Sequence, residues 1–398
     1  MKLLTFLGTG RYEPTNYIWE ATGKRKYTKI FPIALTEWLQ PDEVVVFLTS
    51  EAEKHDNWSE LKNAINAKPV DIDDGASEDG LWKIFAAIVE NVKPGDRLII
   101  DITHGFRSLP MLGLLVAAYL KSSKDVTVQH LVYGAYEARN KESNESPVFE
   151  LTSFLNLFDW MVASKHFLDT GYGRPLANLL DKVDGTIGEL RNGILELSDG
   201  LHLLRPMAVT RSASELEKRV RQASQEAARE IPPLVEMLCH ISESYGRFAV
   251  QEGSPKQQLE AQLKMIDWYL ERRQLAQALA LAREWLPSLL CVFFGVDMLN
   301  TREREDMELL LAGGKVKDRH TGETIKESHR INSWDTVPAG KRMRTLWSGS
   351  INLAQLRNDV LHAGFREKPK KPEEIECTLH KVVGELKAIW AEIKDDIE

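Results

Sequence analysis

Two groups of residues in this chain have the types and spacing to do chemistry. Arg357, Asn358 and His362 fall within one short stretch, Arg357-Asn358-Asp359-Val360-Leu361-His362. A histidine with an ordinary pKa of about 6.5 can take or give a proton at neutral pH. Arg357 stays charged and can stabilise negative charge building on a phosphorus centre. Asn358 is better suited to orienting a ring or a phosphate oxygen than to moving protons. The second group is Asp101-Ile102-Thr103-His104-Gly105-Phe106-Arg107-Ser108, with Thr9, Gly10 and Asn16 near the chain start. Here a polar, glycine-containing turn leads into an apolar stretch, and free N–H groups at a helix start attract anions. Arg107 adds a forked cation suited to phosphate. Each group also has a plain reading: a βα turn satisfying its own backbone, and an exposed helix end whose Arg and His complement the dipole.

The elements that must position these residues follow from the apolar pattern. Leu98-Ile99-Ile100 reads as a buried strand of a parallel sheet, and Leu109–Leu120 as an apolar helix with Ser108 at its N-cap and Pro110 in its first turn. Leu3–Leu7, Val44–Leu48 and Val126–Tyr133 supply further strands. Tyr17–Glu20 and Lys26–Ile30 form a hairpin, and Val148–Leu151 pairs as an edge strand. Helical periodicity lies at Ile33–Leu39, Trp58–Ile65 and Leu81–Val89. Alternating strands and helices predict a doubly wound, Rossmann-like domain over residues 1–152 with a mostly parallel sheet. Ligands on such sheets bind beyond the carboxyl ends of the strands, where Thr9-Gly10 and His104–Ser108 both fall. The dinucleotide fingerprint is half present, since Gly8-Thr9-Gly10 is followed by Arg11-Tyr12-Glu13, and an NAD-type enzyme is disfavoured.

Residues 153–398 read as all-helical. The periodic stretches are Phe154–Leu168, Leu176–Leu197, Ala213–Glu230, Leu234–Phe248, Lys256–Glu271, Leu275–Trp285, Ile351–Leu361 and Pro372–Ile393. Arg304–Arg344 reads as a long polar loop. Arg357 and His362 lie ~140° apart around an ideal helix at ~100° per residue. They cannot share one face, so either the helix ends near Leu361, with Gly364 as its C′ residue, or the site is composite.

The motifs carry a family resemblance. Asp101–Gly105 matches the D-x-T-H-G motif of CRISPR-associated proteins with a CARF sensor domain, and Leu4–Gly10 resembles that family's first strand and ligand loop. Arg357–His362 resembles the R-N-x-x-x-H signature of HEPN ribonuclease domains. The resemblance implies a type III CRISPR accessory endoribonuclease. A cyclic oligoadenylate, by family resemblance cyclic tetra-adenylate, would bind Thr9, Gly10, Asn16, His104, Gly105, Arg107 and Ser108 of a CARF homodimer or higher homo-oligomer. It would switch on cleavage of single-stranded RNA by Arg357, Asn358 and His362, paired across a HEPN dimer. RNA carries its own nucleophile, the 2′-OH, so positioning and proton transfer can suffice without metal. Two rivals stay open: a ligand-sensing regulator without nuclease activity, and a CARF pocket that degrades its own ligand through His104 or Thr9.

Composition sets the limits. The 398 residues are 43% hydrophobic and 28% charged, with a net charge of −8. No global field draws the chain to nucleic acid, so an RNA site must be a local basic patch. Lys315, Lys317, Arg319, Lys341, Arg342, Arg344, Arg366, Lys368, Lys370 and Lys371 offer one. Three widely spaced cysteines without a C-x-x-C pair fit a reducing cytoplasm. No metal-ligand cluster stands out, and the apolar stretches fall short of the ~20 residues of a membrane span.

Overall fold

The computed structural model describes residues 1–105, 109–181, 185–230, 232–250, 253–318, 320–362, 365 and 368–397. It divides into two compact units, Met1–Asp159 and Trp160–Glu398. The architecture is an α/β domain with a mostly parallel sheet, followed by a helical region.

The first unit runs β1 (Lys2–Phe6), β2 (Thr15–Trp19), β3 (Lys24–Thr28), α1 (Phe31–Leu39), β4 (Glu43–Leu48), α2 (Ser50–Glu53), α3 (Asp56–Ala64), β5 (Lys68–Asp71), α4 (Glu78–Glu90), β6 (Arg97–Asp101), α5 (Leu109–Lys124), β7 (Thr127–Gly134) and β8 (Glu145–Glu150). The strands form one sheet in the order β3-β2-β8-β7-β6-β1-β4-β5. Only the β2–β3 and β7–β8 pairs are antiparallel. Strands buried on both faces need apolar residues at every position, which accounts for the runs in β1, β4 and β6. Leu3, Val44, Val46 and Ile99 pack on one face with Phe31, Leu35 and Leu61 of α1 and α3. Leu4, Phe6, Val45, Leu98 and Ile100 pack on the other with Ile84, Ile88, Val116 and Leu120 of α4 and α5. From β1 the chain steps outward to β4 and β5, then returns to β6 on the opposite side of β1 and proceeds to β7. The winding therefore reverses between β1 and β6, and their carboxyl ends open the crevice where such folds hold ligands.

The second unit contains α6 (Thr152–Thr170), within which the division falls, then α7 (Arg174–Leu180), α8 (Gly185–His202), α9 (Pro206–Glu230), α10 (Pro232–Gly246), α11 (Pro255–Glu271), α12 (Leu275–Phe293) and α13 (Thr301–Leu311). After these come the hairpin strands β9 (Lys315–Lys317) and β10 (Thr324–Glu327), and then α14 (Gly340–Ser348), α15 (Leu353–Leu361) and α16 (Pro372–Ile393). Its largely aliphatic core also takes in aromatic rings: Phe167, Tyr245, Trp268, Tyr269 and Trp285 are fully buried. Tyr269 donates to the Leu201 carbonyl at 2.6 Å and Trp285 to that of Leu259 at 2.9 Å, which satisfies their polar ends without water. Helix α12 is long and apolar enough to cross a membrane, but two thirds of it is buried inside this unit (67%).

Several expectations are corrected. Strand β8 is not at an edge; it lies between β2 and β7. The hydroxyls of Thr15 and Ser146 bond at 2.9 Å and hold the β2–β3 hairpin outside it. The single helix expected over Leu176–Leu197 is two, α7 and α8, with Gly185 at φ +73°, a conformation that excludes a continuous helix there. The described residues of 304–344 form most of α13, the β9–β10 hairpin and the start of α14 rather than one long loop. Asn300 caps α13, Asp306 takes the His329 N–H and the Arg330 guanidinium, and Met307, Leu310, Trp334 and Met343 are buried. Among the described residues the second unit is thus helical apart from one small hairpin. Short β5, with Pro69, gave no apolar run to detect.

Gly134 ends β7 where three elements meet. A Cβ there would lie 2.8 Å from the Tyr17 ring and 3.0 Å from that of Phe31. Gly134→Ala is expected to destabilise the protein by about 1–3 kcal/mol, the usual cost of overpacking. Denaturant titration measures it, and a midpoint equal to wild type would show that the rings give way.

Candidate functional site

The crevice at the β1/β6 reversal is built by the side chains of the D-x-T-H-G stretch, each committed to the protein itself. Asp101 is fully buried and accepts from Thr5 Oγ1 at 2.6 Å and from the Thr103 N–H at 2.9 Å. Thr103 Oγ1 accepts from the Gly134 N–H at 2.8 Å. His104 Nε2 accepts from the N–H of Phe31, the first residue of α1, at 3.0 Å. Thus one turn fastens the ends of β1, β6 and β7 to the start of α1. Because Nε2 accepts, the ring proton must sit on Nδ1 and the imidazole is neutral. Burial lowers the His104 pKa to about 3. Burial also raises that of Asp101 to about 6, against the lowering effect of the Thr103 and Thr5 bonds.

The loop after β1 closes the other wall. Asn57 of α3 is buried and donates to the carbonyls of Gly8 (3.1 Å) and Gly10 (2.9 Å). Tyr12 turns back, accepts from the Gly8 N–H at 3.0 Å and stacks on His104 with ring centroids 4.1 Å apart. Between the walls lies a cleft of about 490 Å³, within the range for small-molecule sites. Thr9, Gly10, His104 and Gly105 line it, joined by Arg11, Tyr12, Lys29, Tyr136 and Glu137. Asn16 does not line it; its backbone N–H is spent on the Asn144 carbonyl within the sheet. Arg107 and Ser108, with the N-cap expected there, lie outside the described residues. Tyr12 and Asn57 were not expected, and their signal was slight: an aromatic two places after Gly10, and an asparagine opening a helix.

In the helical unit, α15 stops at Leu361 with His362 as its C-cap, whose N–H donates to the Asn358 carbonyl at 3.0 Å. The helix ends where expected; Gly364 lies outside the described residues. His362 is exposed, Arg357 and Asn358 are half-buried, and Arg357 Nη1 donates to Asn358 Oδ1 at 3.1 Å. Arg357 and Leu361 line a second cleft, of about 440 Å³, with residues of α9, α11 and α12. His362 is not among its lining residues. The basic segment is less free than its composition suggests. Lys315 pairs with Glu327, Arg342 with Glu385 and Glu392, and Arg344 bonds the Leu310 carbonyl while stacking on Trp334. Among the described residues no group of three or more His, Cys, Asp or Glu could hold a metal ion.

Comparison with known proteins adds to this geometry. Residues 156–253 match the family described as the second domain of the CRISPR-associated protein MJ1674. MJ1674 of Methanocaldococcus jannaschii is 20% identical over 298 residues, covering 74% of this chain and 42% of that protein. The chain is thus similar, over part of its length, to CRISPR-associated proteins. It spans about two fifths of the length of this curated relative. Csm6 of Enterococcus italicus, solved with cyclic hexa-2′-fluoro-hexa-dAMP, aligns over 100% of this chain and 95% of its own, at 11% identity and a TM-score of 0.43.

The two perturbed groups of the first crevice, Asp101 and His104, give a test by pH. Half-buried His104 favours the folded state above its ordinary pKa and loses that contribution as pH falls toward 3; buried Asp101 favours it at low pH and loses that as pH rises toward 6. In wild type the two nearly cancel between pH 4 and 6. Asp101→Asn removes one side, so the variant should gain stability relative to wild type from pH 4 to 6. The gain is on the order of 3 kcal/mol, at roughly 1.4 kcal/mol per pKa unit. Urea titrations across that range measure it. A parallel wild-type and variant profile would contradict the burial of Asp101.

Proposed function

We propose that this chain is a cyclic oligoadenylate-activated endoribonuclease of type III CRISPR defence, acting in the cytoplasm on single-stranded RNA without metal. The observation that carries the reading is Arg357 lining a substrate-sized cleft while His362 lies exposed at the end of the same helix. The RNA 2′-OH attacks the adjacent phosphorus and loses its proton, the P–O5′ bond breaks, and the 5′-oxygen leaves as a protonated hydroxyl, with His362 moving a proton in this exchange. Arg357, held by Asn358, stabilises the charge of the phosphorane. The product is a 2′,3′-cyclic phosphate. DNA lacks the nucleophile and is spared.

The activator occupies the crevice of the first unit, where the glycine loop and the turn after β6 offer backbone donors, and where Arg11 and Lys29, paired with Glu13 and Glu60 at 2.8 and 2.7 Å, would exchange these surface carboxylates for phosphate. Arg107 and Ser108 complete the proposed contacts. A twofold dimer presents the same patch twice, so a ring with twofold symmetry fits it, and cyclic tetra-adenylate is favoured by family resemblance. Met111, Leu115 and Tyr119 repeat every fourth residue along α5 and are exposed, as is Trp82 of α4. An apolar strip of this kind supports an isologous contact. His104, neutral and spent on the Phe31 N–H, is a poor base for cleaving the activator in place.

With activator and EDTA present, wild type should cut labelled RNA. His362→Ala should lower the rate on the order of 10²–10⁴-fold and Arg357→Ala on the order of 10²–10³-fold, both with activator binding retained. Wild-type rates in either variant, dependence on a divalent ion, or equal cleavage of DNA would overturn the assignment. RNA left intact by an activator-bound wild type would favour a regulator without nuclease activity.

A further inference from the structure

The cleft beside Arg357 holds a second feature that proton transfer does not use. Its floor is apolar, formed by Met207 of α9, Ala280 and Leu281 of α12, and Met298. Into this floor comes one amide, Gln262 of α11, whose residue is 4% exposed and whose side chain has no hydrogen-bond partner among the described residues. Its polar end faces the cleft, so an occupant that displaces water there without pairing with the amide would cost about 1–3 kcal/mol. The charged lining residues on the α12 side are already spent. Arg304 bonds Ser288 Oγ (2.7 Å), the Met298 carbonyl (3.0 Å) and both the carbonyl and a carboxylate oxygen of Glu284 (3.1 and 2.7 Å).

A purely apolar ligand would leave Gln262 unpaired, and a bare phosphate would find an apolar floor. A nucleobase meets both conditions, since it has flat apolar faces and an edge of donors and acceptors that an amide can read in pairs. Methionines adapt to such a face. At the cleft mouth stand exposed Arg205 and the first turn of α9, a 25-residue helix whose N-terminal N–H groups suit a phosphate.

We propose that this cleft is the base-reading subsite of the nuclease: one RNA base beside the scissile phosphate inserts against Met207 and Leu281, its edge bonded to Gln262. The proposal rests on the ribonuclease reading of Arg357 and His362. Gln262 is a specificity residue in this scheme, not a catalytic one.

The test uses full-length protein and short 2′-O-methyl RNA carrying 4-thiouridine, which binds but cannot be cut. Irradiation should crosslink it to peptides containing Met207, Leu281 or Leu299. Gln262→Glu, which keeps the shape and exchanges the amide donor for an acceptor, should change the base preferred at the cleavage site. Discrimination between bases should fall about 5- to 100-fold, the worth of a bidentate base contact. Gln262→Leu should flatten that preference, with a KM effect exceeding the kcat effect. Crosslinks that map elsewhere or fail to form, or an unchanged base preference in a folded Gln262→Glu protein, would overturn the subsite. Crosslinks in the cleft without cleavage of ordinary RNA would support the subsite while removing the nuclease reading. Cleavage without cleft crosslinks would do the reverse.

Discussion

The first unit depends on one buried carboxylate. Asp101 lies at the carboxyl end of β6, where the sheet reverses its winding, and its bonds to Thr5 and Thr103 fix β1 and the turn together. From that point the chain of contacts extends through Thr103 to β7 and through His104 to α1. A buried acid of this kind is costly unless hydrogen-bonded, so the neighbouring hydroxyl and amide are part of the same device. Its effect is to hold a rim of backbone open. With Asp101, Thr103 and His104 bonded to the scaffold, the proposed ligand would be left to the glycine loop, Gly105 and cations outside the motif. The motif is therefore better understood as the frame of the crevice than as its contact surface.

Much of this was legible in sequence because burial on both faces of a parallel sheet demands unbroken apolar runs. Leu3–Leu7, Val44–Leu48 and Leu98–Ile100 show it, and Pro372–Ile393 marks a helix whose start is set by its proline. Position within the sheet was not legible. The interior place of β8 depends on which strand the β2–β3 hairpin joins, and that is a long-range pairing with no local signature. The segment 304–344 misled for a related reason. Its order comes from Arg330 reaching back to Asp306 and from Trp334 meeting Arg344, contacts that polar composition conceals.

The sites divide along the same line. Arg357, Asn358 and His362 stand out in sequence because they are neighbours, and α15 ends at Leu361, so His362 lies just past the helix that carries Arg357. Asn57, Tyr12 and Gln262 could not be found, since each acquires its role from a loop or helix distant in sequence. Asn57 matters because it holds two carbonyls of the glycine loop. Gln262 matters because α9 and α12 enclose it.

The central claim is that the activator is held by the rim at the ends of β1 and β6. Hydrogen exchange of the full-length protein with and without cyclic tetra-adenylate tests it most directly, because the rim amides are themselves the proposed donors. Peptides covering Gly8–Tyr12 and Thr103–Gly105 are expected to gain protection when the activator is added. Unchanged exchange in both peptides under saturating activator, or protection confined to Leu353–His362, would contradict the account.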